Sequence, residues 1–165
     1  MSTVYRDLLQ QQLDNFSVQR HDFLNYFQVI KGYIQLNMPE KALEYMDEAL
    51  LELLPQQNIS RIAEKTIVAI LLNLYFRLHK LGIGMEIKYP EEMKNEEFWT
   101  ARWQAEYADS FYGYTMECVE SIPQELDFLD SLAEIVLSST EQGFSFEFKL
   151  YREQEQIKQK SFAIP

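Results

Sequence analysis

From residue 3 to residue 36 the chain contains no proline and a single glycine, Gly32. Apolar side chains recur there at Leu9, Leu13, Phe16, Phe23, Phe27, Ile30 and Ile34. Their spacings alternate near three and four, so the stretch predicts one long amphipathic helix with an apolar seam. Such a helix is about 50 Å long, so the rest of the molecule has to be arranged along it. Arg20 takes the place between Phe16 and Phe23, and the seam is interrupted by a charge just before His21.

Asn37-Met38-Pro39 breaks this helix, and Pro39 suits the first turn of the next. The second helix is expected over residues 39–54, with Ala42, Leu43, Met46, Ala49, Leu50, Leu53 and Leu54 as its stripe. A connection this short makes the two helices antiparallel neighbours. One hairpin buries only part of such a surface. Two copies would make a four-helix bundle, so a homodimer is expected.

Pro55-Gln56-Gln57-Asn58 marks the expected division, with a helical hairpin over 1–56 and a small α/β domain over 57–165. The second part reads as a helix over 59–80, a strand over Gly84–Tyr89, and a mainly helical aromatic region over Phe98–Tyr114. A helix follows over Gln124–Ser138, with Leu126, Leu129, Leu132, Ile135 and Val136 on one face. Phe144–Tyr151 alternates with period two, and Gln156–Ile164 returns as its antiparallel partner. The fold class is therefore α+β.

Charge narrows the partners. A net charge of -11 over 165 residues repels nucleic acid and anionic membrane surfaces. No apolar run approaches the roughly 20 residues that cross a bilayer, and Met1 leads directly into polar sequence, so a cytoplasmic protein is expected. One cysteine, Cys118, excludes a disulfide framework within the chain. It reads as a small buried hydrophobe. Two histidines, His21 and His79, are too few for a dedicated histidine metal cluster. His79 falls near a helix C-terminus, where the dipole favours it, and is assigned no chemistry.

His21 is the residue with chemical promise. On a helix, with His21 at zero, Asn25 lies at about 40°, Gln28 at about -20°, Gly32 at about 20° and Gln35 at about -40°. The apolar seam centres roughly 130° away, so His21 is expected to face solvent. Imidazole, with an unperturbed pKa of about 6.5, is nucleophilic at neutral pH. Asp22 could accept a hydrogen bond from the ring or take its proton. Arg20 could offset phosphate charge, and Asn25 could donate to a phosphoryl oxygen. Gly32 leaves room for a partner's backbone to come close.

The run His21-Asp22-Phe23-x-Asn25-x-x-Gln28-x-Ile30-x-Gly32-x-x-Gln35-Leu36 resembles the phosphoacceptor box of the sporulation initiation phosphotransferase family, the B component of the sporulation phosphorelay. The same box occurs in sensor kinases of the citrate/fumarate type. The resemblance implies a dimeric four-helix bundle and a phosphohistidine at His21. Its phosphoryl group would come from the aspartate of one response-regulator receiver domain and pass to the aspartate of a second. No cofactor of its own is implied, and Mg²⁺ would be supplied by the partner regulator. It also implies a second domain related to a degenerate histidine-kinase ATPase fold. From residue 60 onward the glycines are Gly82, Gly84, Gly113 and Gly143; they form no glycine-rich lid, and no Asp-x-Gly occurs. ATP-dependent kinase activity is therefore not expected. The competing expectation is a dimeric module that binds or sequesters a response regulator without transfer.

Overall fold

The computed structural model describes residues 3–124 and 130–164. Helix α1 spans Thr3–Gln35, as the unbroken spacing requires. Its end is a left-handed cap: Asn37 has φ 57°, and the Met38 amide donates to the Tyr33 carbonyl at 2.9 Å. Pro39 then opens α2, which spans Pro39–Ser60.

Here the expected helix end at residue 54 is corrected, and with it the start of the third helix at 59. Pro55 lies inside α2, which runs across the expected 56/57 division. An interior proline removes a helical hydrogen bond and costs about 3 kcal/mol. Two tyrosines from the second half of the chain tie down carbonyls on either side of it, though not that of Leu51, the one its missing N–H leaves unpaired. The Tyr75 hydroxyl donates to the Glu52 carbonyl at 3.1 Å, and the Tyr89 hydroxyl donates to the Asn58 carbonyl at 2.6 Å. Beyond Pro55, Ile59 and Ile62 are completely buried, which holds the last turn against the second half of the chain.

Helix α3 spans Lys65–Lys80, capped by the Glu64 carboxylate, which accepts from the Thr66 amide at 2.9 Å. It ends at Gly82, whose φ of 75° suits glycine. Strand β1 is Gly84–Lys88; a short 3-10 turn at Glu91–Lys94 leads to α4, Glu96–Thr100, and α5, Tyr107–Glu120. Strands β2 (Ser131–Ser139), β3 (Phe144–Arg152) and β4 (Glu155–Ile164) complete a four-stranded sheet in the order β1-β2-β3-β4. The first pair is parallel and the other two are antiparallel.

Strand β2 overturns the helix expected over 124–138. Leu126 and Leu129 lie outside the described residues. Within the strand, Ser131, Ala133, Ile135 and Leu137 point inward, while Leu132 is exposed and Val136 half-buried. The apolar run fits both periods on paper. A β-branched Ile135-Val136 pair and hydrogen-bonded neighbours on both sides favour the strand.

The core lies between the sheet and the helices. Phe144, Phe146, Phe148 and Leu150 of β3 are completely buried, and Phe111 of α5 meets Phe146 edge-on at 5.3 Å. Trp99 is buried as well, its indole donating to the Met93 carbonyl at 2.8 Å. The other sheet face is wet and charged, with Lys88 against Glu134 at 2.7 Å and Lys149 against Glu147 at 2.6 Å. Cys118 is packed inside, and burial pushes its thiol up to about 11, so it is a neutral side chain at pH 7.

Helix α1 meets its own chain through Leu8, buried in the core, and through polar groups. Gln11 donates to the Tyr112 hydroxyl at 2.8 Å, Gln12 donates to the Ala69 carbonyl at 3.1 Å, and Gln19 bonds Gln56. Most of the apolar seam faces away: Leu9, Leu13, Phe16, Phe27 and Ile34 of α1 are exposed, with Leu43, Met46, Leu50 and Leu54 of α2. The helical hairpin thus presents a broad apolar surface outside the single-chain core.

Candidate functional site

His21 stands just past the middle of α1 and is the exposed member of a chain of three titratable side chains. Its side chain is 74% exposed. The ring Nδ1 lies 3.3 Å from the Asn25 amide nitrogen, one turn on, and 3.6 Å from Asp22 Oδ1. Among the described residues, Nε2 has no partner. Asp22 turns inward, only 29% exposed, and its Oδ2 lies 3.3 Å from Nε2 of His79, in the last turn of α3. The chain therefore runs His21–Asp22–His79 and joins α1 to α3.

The layer below is aromatic. The His79 ring stacks on Tyr75 at 5.8 Å and 14°. The hydroxyl of Tyr26 donates to the Glu52 carboxylate, and burial followed by that carboxylate pushes the phenol well above its ordinary value. Tyr75 is pushed up as well, chiefly by burial. Both phenols are thus neutral donors that fix α2 beneath Asp22 and His79.

The geometry has a chemical consequence. A ring whose Nδ1 faces Asn25 and Asp22 presents Nε2 outward as its nucleophilic atom. Attack from Nε2 needs the proton on Nδ1, where the Asp22 carboxylate stabilises positive charge developing on the ring. The Asn25 amide serves either tautomer, since a half-turn exchanges its oxygen and nitrogen. His79 keeps Asp22 in place by donating from Nε2.

The other expected site residues divide. Arg20, Gln28 and Gln35 are exposed on the same helix, and Arg20 has no ion-pair partner among the described residues. Gly32 is half-buried, and a Cβ added there meets nothing within 4 Å. Nothing in this chain needs glycine at that position, which costs a helix interior about 1 kcal/mol relative to alanine. Gly32→Ala is therefore expected to stabilise the chain by roughly 0.5–1 kcal/mol, measured by denaturant unfolding. If a partner's backbone passes over Gly32, the same variant also loses affinity for that partner.

His79, to which the sequence assigns no chemistry, is the side chain the fold adds to this cluster. It lies 57 positions from Asp22, and no local pattern links the two. Among the described residues, no group of three or more His, Cys, Asp or Glu side chains is placed to hold a metal ion.

His21 thus stands exposed on a helical hairpin with the Asp22 carboxylate behind it. Residues 1–62 match the family described as sensor kinase SpoOB-type, alpha-helical domain, which suggests a phosphorelay-related two-component protein. The matched segment takes in all of α1 and α2 and ends in the turn before α3. No curated protein matches the chain. No helix of the described residues is long and apolar enough to cross a membrane.

Proposed function

We propose that this chain is a histidine phosphotransferase that relays a phosphoryl group between response-regulator aspartates through His21. The observation that carries the reading is the exposed ring with Nδ1 held and Nε2 free. In the forward step, the Nε2 lone pair attacks the phosphorus of a regulator's aspartyl phosphate. The N–P bond forms, the P–O bond to the regulator carboxylate breaks, and that carboxylate leaves. The Nδ1 proton faces Asp22 throughout. In the second step a carboxylate of another regulator attacks the same phosphorus, and the imidazole leaves. The Mg²⁺ of the reaction belongs to the regulator's acidic pocket.

Asn25 and Arg20 lie close enough along α1 to meet the phosphoryl oxygens, while Gln28, Gly32 and Gln35 extend the receiver-docking stripe down the helix. A second copy of the hairpin covers the apolar seam and gives a dimeric four-helix bundle. The second half of the chain, a mixed sheet with helices on one face, serves as a docking relic of a kinase ATPase fold. A cytoplasmic setting accords with this chemistry, and a role in sporulation is the reading the family name favours.

A pulse-chase experiment tests the reading. A receiver domain carrying labelled aspartyl phosphate is mixed with the chain, and a second receiver is then added. The expected result is acid-labile, base-stable label on this chain that moves to the second receiver. Binding without label is the outcome of the sequestering alternative and refutes transfer; labelling by ATP alone refutes the relay in favour of a kinase.

His79 enters this scheme as a positioning residue. His79→Leu removes the donor to Asp22 and is expected to slow transfer about tenfold, the worth of one hydrogen bond to a charged group. His79→Gln keeps a donor at the same reach and restores most of the rate. In an Asp22→Asn background, His79→Leu adds little more. A purely structural His79 would show no rescue and an additive loss. Single-turnover transfer rates separate the two cases.

A further inference from the structure

Asp22 stands between the two histidines, with one carboxylate oxygen 3.6 Å from His21 and the other 3.3 Å from His79. Its placing decides whether the His21 ring is backed at Nδ1. On α1, Gln19, Asp22 and Tyr26 follow one another at intervals of three and four, so they share one stripe. Gln19 bonds Gln56 of α2. The Tyr26 hydroxyl donates to the Glu52 carboxylate, one turn earlier on α2. The helix of Asp22 is therefore tied to α2 about one turn before that residue and one turn after it.

Glu52 also receives the third helix. Its backbone carbonyl accepts from the Tyr75 hydroxyl at 3.1 Å, and Tyr75 lies one turn before His79 with the two rings stacked. One residue of α2 thus binds α1 through its side chain and α3 through its main chain. Gln19, Asp22, Tyr26, Gln56, Tyr75 and His79 line a cavity of about 10 Å³, about the least space that holds one water. Asp22 and His79 have little room to shift while these ties hold. The Tyr26–Glu52 bond also lies off the reacting edge. Tyr26 follows His21 by five residues, about 140° round the helix, and is half-buried. It reaches the reaction only through α1 and Asp22.

We propose that Tyr26 and Glu52 are a positioning pair for phosphoryl transfer. Their bond fixes Asp22 between the histidines, which keeps the His21 proton on Nδ1 and the Nε2 lone pair outward. The kinetic consequence rests on the transfer reading; the tautomer of His21 is a property of the free chain and does not.

Two measurements on the same variants test the pair. NMR of nitrogen-labelled histidine in the free chain reads the tautomers at about pH 9, well above the unperturbed imidazole pKa of about 6.5. The chain has two histidines, so His21→Gln identifies the signals of His79. The wild type is expected to hold His21 mainly in the Nδ1–H form. Tyr26→Phe, which keeps the ring and its packing, and Glu52→Leu, at an exposed position, each shift it toward Nε2–H. Glu52→Gln, whose amide oxygen still accepts from the phenol, keeps the wild-type ratio. In single-turnover transfer, Tyr26→Phe and Glu52→Leu each lower the maximal rate about fivefold, part of the roughly tenfold worth of a hydrogen bond to a charged group. Receiver affinity stays unchanged, and the double variant is no slower than either single one. An unchanged tautomer ratio in both folded single variants overturns the proposal, whatever the transfer rate. Rate losses that add in the double variant, or a loss of receiver affinity in place of rate, also overturn it. A wild type that takes up no phosphoryl group refutes the transfer reading, and the tautomer ratio still decides whether the pair places Asp22.

Discussion

His21→Gln is expected to abolish phosphoryl labelling of the chain while leaving its fold untouched. The imidazole is the acceptor itself, and a carboxamide forms no stable bond to phosphorus, so the loss is complete and not a rate reduction. Stability should change by no more than about 0.5 kcal/mol, as at other exposed positions. Among the described residues the polar partners of the ring are Asn25 and Asp22, and the side chain is 74% exposed. Labelling and thermal unfolding, measured on the same preparation, separate lost chemistry from lost structure. Asp22→Asn should fall between wild type and His21→Gln, because the carboxylate assists the ring without accepting phosphorus.

The second large effect concerns the seam. Phe27 of α1 and Leu50 of α2 are 68% and 59% exposed in the single chain. In the proposed bundle they pack against a second copy. Burial of such a side chain contributes about 1.5–3 kcal/mol, and symmetry places each substitution in the interface twice. Phe27→Glu is therefore expected to weaken self-association about a thousandfold, read by sedimentation over a range of concentrations. Because the side chain lies outside the single-chain core, helix content and the melting of the α/β half should persist. A wild-type chain that sediments as a monomer at all concentrations contradicts the bundle.

Both predictions rest on features that were legible in the residues alone. The long helix could be read from its unbroken three-and-four spacing, because nothing in residues 3–36 competes with a helix. Angular arithmetic placed His21 away from the seam, and its exposure agrees. The alternation of Phe144, Phe146 and Phe148 likewise marked β3 without ambiguity.

What could not be read depends on contacts between distant parts of the chain. Pro55 is a stop signal locally, yet α2 runs on to Ser60, and Ile59 and the following Ile62 are buried in the core built by later elements. Residues 131–139 satisfy helical and strand periods alike, and only pairing with β1 and β3 decides between them. The link from Asp22 to His79 crosses from α1 to α3.

The central claim is that phosphorus becomes bonded to Nε2 of His21. Phosphorus NMR of the chain after incubation with a phosphorylated receiver domain addresses it directly. The account predicts one phosphoramidate resonance, assigned to Nε2 by its coupling in nitrogen-labelled histidine and absent from His21→Gln. A resonance assigned to Nδ1, one that persists in His21→Gln, or none at all while the receiver loses its phosphate, would contradict it.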